Sequence, residues 1–204
     1  MPPVRDGPHE LTIRRLREDD WRAFRGLRLR ALRSDPMAFG STYAKEAQFP
    51  DERWKAWARQ GAAPVGSATW VAVRADGEFA GMVVAVERDG QLHLFSMWVE
   101  PSVRARGIGR RLLDAALAWA GTLPDRPPVR LEVNPHQEPA VRLYVSRGFR
   151  FTGTVRPLEH TPGETVHEME RGPGEGTPTG PEVGERAPPQ TRVGPVGRRA
   201  GQGD

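Results

Sequence analysis

Residues 92–119 constrain this chain more than any other stretch. Leu92 to Val99 alternates as a β-strand. Glu100-Pro-Ser-Val-Arg-Ala-Arg-Gly-Ile-Gly109 breaks it, and an apolar-periodic helix over 107–119 follows at once. A strand that turns straight into a helix belongs to a layered α/β arrangement. The turn also predicts an anion site. Glycine lets backbone approach a ligand closely, and the first N–H groups of a helix lack internal acceptors. The helix dipole adds positive potential, so a phosphate or pyrophosphate fits there. Arg104, Arg106 and Arg110 add charge. A dinucleotide fingerprint is excluded because Leu112 stands where a third glycine belongs, and a P-loop because no Gly-Lys-Ser/Thr exists. Taken alone, the segment also reads as a plain glycine-rich turn.

The remaining elements complete the pattern. Leu11–Leu16 reads as a strand, with Asp19 and Asp20 as N-cap of a helix carrying Trp21, Phe24, Leu27, Ala31 and Leu32. Ser34-Asp-Pro36 ends that helix. A second helix starts at Pro50-Asp-Glu52, buries Trp54, Trp57 and Ala58, and stops at Gly61. The irregular Met37–Tyr43 segment between them reads either as packing or as a substrate-facing loop. Ala68–Arg74, Phe79–Val86 and Leu92–Val99 form a meander with turns at Ala75-Asp-Gly77 and Asp89-Gly90. Val129–Val133, a helix over Pro139–Arg147, and closing strands Phe149–Val155 and Thr165–Glu170 follow.

The hydrophobic fraction, 37%, is low for a globular chain of 204 residues, and the shortfall is local. From Gly172 to Asp204 there is no aromatic residue, Leu or Ile, and close to half the positions are Gly or Pro. Such a segment cannot offset its chain entropy by burial. The expected organisation is a flexible N-terminus over 1–9, one domain over 10–171, and a disordered tail over 172–204. The absence of cysteine removes disulfides and thiolate chemistry. No apolar run reads as a signal peptide or reaches the ~18 residues of a membrane span, so a cytoplasmic protein with no membrane partner is expected. Net charge is +4, but arginines alternate with acids, which argues against a nucleic-acid partner.

A second block follows the strand Leu131-Glu-Val133: Asn134-Pro-His-Gln137-Glu-Pro-Ala140-Val-Arg-Leu143-Tyr144, ending at Gly148-Phe149. With Arg104-x-x-Gly107-x-Gly109 ahead of it, the chain closely resembles a bacterial member of the GCN5-related N-acetyltransferase (GNAT) superfamily over about residues 10–171. The resemblance implies a mixed, mostly antiparallel central sheet flanked by helices, splayed between the strands ending near Val99 and Val133. Acetyl-CoA is the implied co-substrate. Its pantetheine would bond to backbone at Met97 and Val99, and its pyrophosphate would sit on Arg104, Ala105, Arg106, Gly107, Ile108 and Gly109. Gln137 stands where many relatives carry Asn. Ala105 stands where many carry Gly, and Ala suits the position only if the backbone there avoids positive φ.

The implied reaction moves an acetyl group to a primary amine by direct attack in a ternary complex. Tyr144 holds the family's general-acid position. Glu132, twelve residues earlier, matches relatives that acetylate ribosomal-protein N-termini. A carboxylate in a closing wedge could have a raised pKa and serve as base. His93 competes, standing where some histone acetyltransferases of the superfamily carry a catalytic Glu. The oxyanion would meet the N–H near Val99. A small amine and a peptide or protein N-terminus both remain open as acceptor, as does a homodimer. A catalytically silent acyl-CoA sensor is the alternative function. The remaining histidines form no ligand spacing, and no metal is expected.

Overall fold

The computed structural model describes residues 11–158 and 160–173. The expected tail and N-terminal segment lie almost wholly outside them. One sheet runs through the molecule in the order β1-β2-β3-β4-β5-β7-β6. Its strands are β1 (Thr12–Arg15), β2 (Ser67–Val73), β3 (Phe79–Arg88), β4 (Gln91–Val99), β5 (Val129–Val133), β6 (Arg150–Pro157) and β7 (Thr165–Arg171). Every pairing is antiparallel except β4 with β5.

Among the described residues, five α-helices flank the sheet: α1 (Trp21–Ser34), α2 (Tyr43–Glu46), α3 (Asp51–Ala62), α4 (Ile108–Ala120) and α5 (Glu138–Val145). Strand alternation sorts the apolar residues into two cores, one per face. In β2, Ala68, Trp70 and Ala72 pack toward α4, while Val71 packs toward α1 and α3. The α4 stripe is Ile108, Leu112, Leu113, Ala116 and Ala120, spaced to bury one face of a helix. The opposite core closes around Phe24, Leu27, Trp54, Met82 and Trp98.

Three local expectations are corrected. Asp20 does not cap α1. Its carboxylate accepts from the Arg17 amide at 2.7 Å and from Arg14 at 2.6 Å. Gly61 does not stop its helix, which runs on to Ala62. A Cβ at Gly61 would lie 2.5 Å from Thr69 Oγ1, so the glycine serves helix–strand packing. The segment after α1 is not wholly irregular: it holds a 3₁₀ turn over Pro36–Ala38, and α2 starts at Tyr43 with Thr42 accepting from the Lys45 amide.

Candidate functional site

The sheet opens where its one parallel pair ends. Strands β4 and β5 pair from Leu92↔Val129 to Leu94↔Leu131 and no further. A bulge sits immediately beyond, at Ser96 and Met97, where the register against β3 slips between Val84↔Phe95 and Met82↔Trp98. Ser96 has φ 55, a left-handed value that costs a non-glycine residue roughly 1 kcal/mol. Its hydroxyl accepts from Arg28 Nη1 at 2.9 Å. Arg28 is in turn held by Glu46 through two bonds, Nε to Oε2 at 2.9 Å and Nη2 to Oε1 at 2.7 Å. Both side chains are buried. A buried ion pair therefore braces the bulge that turns β4 away from β5.

Beyond the bulge β4 has no strand partner on its β5 side, although Arg104 Nε donates to Val99 O. The Glu100 amide donates to Ala80 O at 2.8 Å. Polar groups alternate sides along a strand, so Val99 turns its N–H and C=O toward the gap. The chain then runs through a 3₁₀ turn, Pro101–Val103, into the glycine turn. Gly107 is the N-cap of α4 with φ 74, a conformation that favours glycine. The first ladder bond of α4 runs from the Arg111 amide to Gly107 O at 3.0 Å, which leaves the amides of Ile108, Gly109 and Arg110 without a helical acceptor.

Two features of this turn differ from expectation. Ala105 has φ 60, the very conformation its Cβ was expected to forbid, so the turn is strained there. Arg104 is also less available than expected. Its amide donates to Pro101 O at 3.2 Å. Its guanidinium donates to Val99 O at 2.8 Å and to Asp35 Oδ2 at 2.7 Å. Trp98 Nε1 donates to the same oxygen at 2.8 Å. Burial works to raise the Asp35 carboxyl, but bonds from Arg104, Trp98 and Ser34 outweigh it and hold the group below the usual carboxylate range. The charge left for an anion comes from Arg110, which lines the cavity; Arg106 is exposed and lies outside the lining.

A cavity of about 920 Å³ fills the opening. Met97, Val99, Ala105, Gly107, Ile108, Gly109 and Arg110 line one side; Glu132, Gln137 and Tyr144 line the other. Tyr144, on α5, is 6% exposed and packs edge-on against Phe149 at 5.8 Å. Burial pushes its phenol well above the ordinary tyrosine pKa, so the hydroxyl stays protonated through the neutral range. Gln137 stands at the N-cap position of α5 without a side-chain capping bond and is half-buried.

The two candidate bases fare differently. Glu132 reaches the cavity rim, but it is exposed and paired with Arg156 at 3.1 Å, not desolvated in the wedge. His93 lies outside the lining, in the closed part of the β4–β5 pair. Its ring stacks on Phe95 at 6.0 Å. Partial burial, then Arg130 and Arg88, lower its pKa and keep the imidazole neutral.

Sequence reasoning missed the Arg28–Glu46–Ser96 brace, although Arg28 stands on the apolar face of α1, four residues after Phe24. Asn134 follows β5 directly. It is buried, accepts from the His136 amide at 2.9 Å and donates to Glu164 at 2.8 Å, fixing the loop between β5 and α5. The Met37–Tyr43 segment is divided between core and cavity wall. Phe39 is core, while Met37, Gly40 and Ser41 line the cavity. Among the described residues, no group of His, Asp and Glu is arranged to hold a metal, and no helix is long and apolar enough to cross a membrane.

The sheet is thus parted at a bulge, with a glycine turn on one lip of the cavity and a buried tyrosine on the other. Residues 14–149 match the acetyltransferase (GNAT) family, and the chain belongs to it. Peptidyl-lysine N-acetyltransferase YjaB of Escherichia coli K12 is 34% identical over 84 residues, 41% of this chain and 50% of that protein. The chain thus spans about half the length of the curated relatives it matches. Among solved structures, a GNAT-family acetyltransferase from Streptococcus pneumoniae superposes with TM-score 0.67 at 24% identity, over 79% of this chain and 99% of that one. A GCN5-related N-acetyltransferase from Kribbella flavida gives 0.61 at 27% identity, over 79% and 96%.

Proposed function

We propose that this protein transfers an acetyl group from acetyl-CoA to a primary amine by direct attack within a ternary complex. The observation that carries the reading is the cavity itself, which brings the free amides of α4, the open β4 edge and the Tyr144 phenol to one space. Amides 108–110, with Arg110, suit a pyrophosphate. The edge at Met97 and Val99 suits an amide-bearing arm that hydrogen-bonds as a strand does. Attack of a neutral amine on the thioester carbonyl builds charge on oxygen, which the Val99 N–H would meet. Collapse breaks the C–S bond and sends its electron pair to sulfur; Tyr144 O–H supplies the proton for the departing thiolate, and the proton that the new amide nitrogen gives up restores the phenol through water.

The proton on the incoming ammonium goes to Glu132 or to His93 through water. Glu132 is the better placed at the rim, and His93 is the one held neutral. A peptidyl-lysine or N-terminal amine and a small amine all belong to the acceptor class. A cytoplasmic setting, expected from the sequence, is part of the same proposal.

The test is CoA release from acetyl-CoA across an amine panel, with wild type, Glu132→Gln and His93→Ala compared over pH. The base variant loses rate at neutral pH and recovers at high pH, where free amine is abundant. Acetyl-CoA binding without release on any amine would select the silent-sensor reading.

A further inference from the structure

A second cavity, of about 440 Å³, lies on the other face of the sheet between α1–α3 and strands β2–β4. It abuts the first: Arg28, Ser41, Phe95 and Ser96 line both. Its volume is that of a small-ligand pocket. Its walls are aromatic, from Phe24, Phe49, Trp57 and Phe95, and its charge is one-sided. The one carboxylate, Glu46, is consumed by Arg28. Lys45, Arg53 and Arg88 are left, and none of the three pairs with a carboxylate among the described residues. Arg53 is held in place, its guanidinium 4.2 Å from the Phe49 ring centre and 5.4 Å from that of Trp57. A guanidinium braced on aromatic faces keeps its planar fork of donors free for a carboxylate or phosphate.

We propose that this cavity seats the far end of the acyl acceptor and selects amines that carry an anionic group, a carboxylate above all, remote from the reacting nitrogen. The inference rests on the acyl-transfer reading above and narrows it. The shared wall at Phe95 and Ser96 is the same bulge that opens the first cavity, so a molecule lying across it has its amine on the Tyr144 side and its anion among the cations. A polyamine is disfavoured, because its second ammonium would enter a field of like charge.

The test compares three series of acceptors matched in length: ω-amino carboxylates, their neutral amides, and diamines. CoA release is followed for wild type and for Arg53→Gln/Lys45→Gln, two exposed positions. The carboxylate series is expected to exceed its amides in kcat/KM by about tenfold, the scale of one charged hydrogen bond. The double variant should raise KM for the carboxylates by a similar factor and erase the preference. Equal use of carboxylates and amides, or a preference for diamines, overturns the proposal and leaves acyl transfer intact. If no amine is turned over, calorimetric titration with the same ω-amino carboxylates decides separately. Binding to wild type but not to the double variant upholds the anion site and removes acyl transfer, while binding to neither overturns both.

Discussion

The two cavities share a wall and are built in opposite ways. The larger is shaped by backbone: a strand edge, a bulge, a left-handed glycine and the start of a helix. The smaller is shaped by side chains, reaching inward from three helices and three strands. Backbone offers the same N–H and C=O groups whatever the residue, so the first site suits a ligand that never changes. Side chains set size and charge one by one, so the second suits a ligand that differs between relatives.

The largest effect is expected where the two meet. Arg28→Met leaves Glu46 as an unpaired buried carboxylate and frees the Ser96 bulge. Loss of one partner of a buried pair costs about 3–5 kcal/mol, so urea unfolding should show a large fall in stability. Arg28→Met with Glu46→Leu removes both charges and should restore most of it. A double variant as stable as wild type but with weakened acetyl-CoA binding would sharpen the comparison, assigning the pair to the geometry of the bulge. Unchanged binding would leave the bulge self-supporting.

Tyr144→Phe comes next. It keeps the ring against Phe149 and removes only the hydroxyl. The expected fall in kcat is about 10²-fold, with acetyl-CoA affinity within a few-fold of wild type. A further readout is alkaline stability. The folded phenol titrates above the unfolded value of ~10, so the unfolded chain loses its proton first. The stability Tyr144 contributes is full below that pH and declines as pH rises through the folded pKa. Urea unfolding near pH ~10 and above should therefore weaken less steeply in Tyr144→Phe than in wild type.

The smallest effects belong to the glycine turn. Gly107→Ala forces a Cβ into φ 74 and should cost about 1 kcal/mol. Ala105→Gly relieves φ 60, but glycine's greater unfolded entropy offsets the gain, so stability should rise by less than ~1 kcal/mol. Midpoints of urea unfolding, with acetyl-CoA titrations alongside, would rank the two positions. Equal penalties for Gly107→Ala and Gly109→Ala would show that left-handed backbone is not what the turn requires.

The same contrast explains what could be read in advance. The glycine turn could be read from one short block, because backbone-built features depend on neighbours in sequence, whereas the splay of the strands and the place of Tyr144 were implied by the family resemblance that the two blocks carry. The order of strands and helices was readable for the same reason, from alternation and helical spacing. The Arg28–Glu46 pair joins α1 to α2 and then to a bulge 68 residues away, and no local pattern encodes that meeting. Gly61 resembled a helix stop because its partner, Thr69, lies across a tertiary contact. Glu132 resembled a desolvated base because Arg156, on another strand, was not in view.

Asp35 carries a consequence of its own. A single carboxylate oxygen holds both the Trp98 indole and the Arg104 guanidinium. An anion that draws Arg104 toward the turn would leave that oxygen to the indole and the Ser34 hydroxyl, and the electric field across the ring would change. Trp98 is one of six tryptophans, so the difference in emission between wild type and Trp98→Phe isolates its signal. Trp98 emission is therefore expected to shift when acetyl-CoA is added in a stopped-flow instrument, without a label, and an unchanged signal would show that Arg104 stays on Asp35.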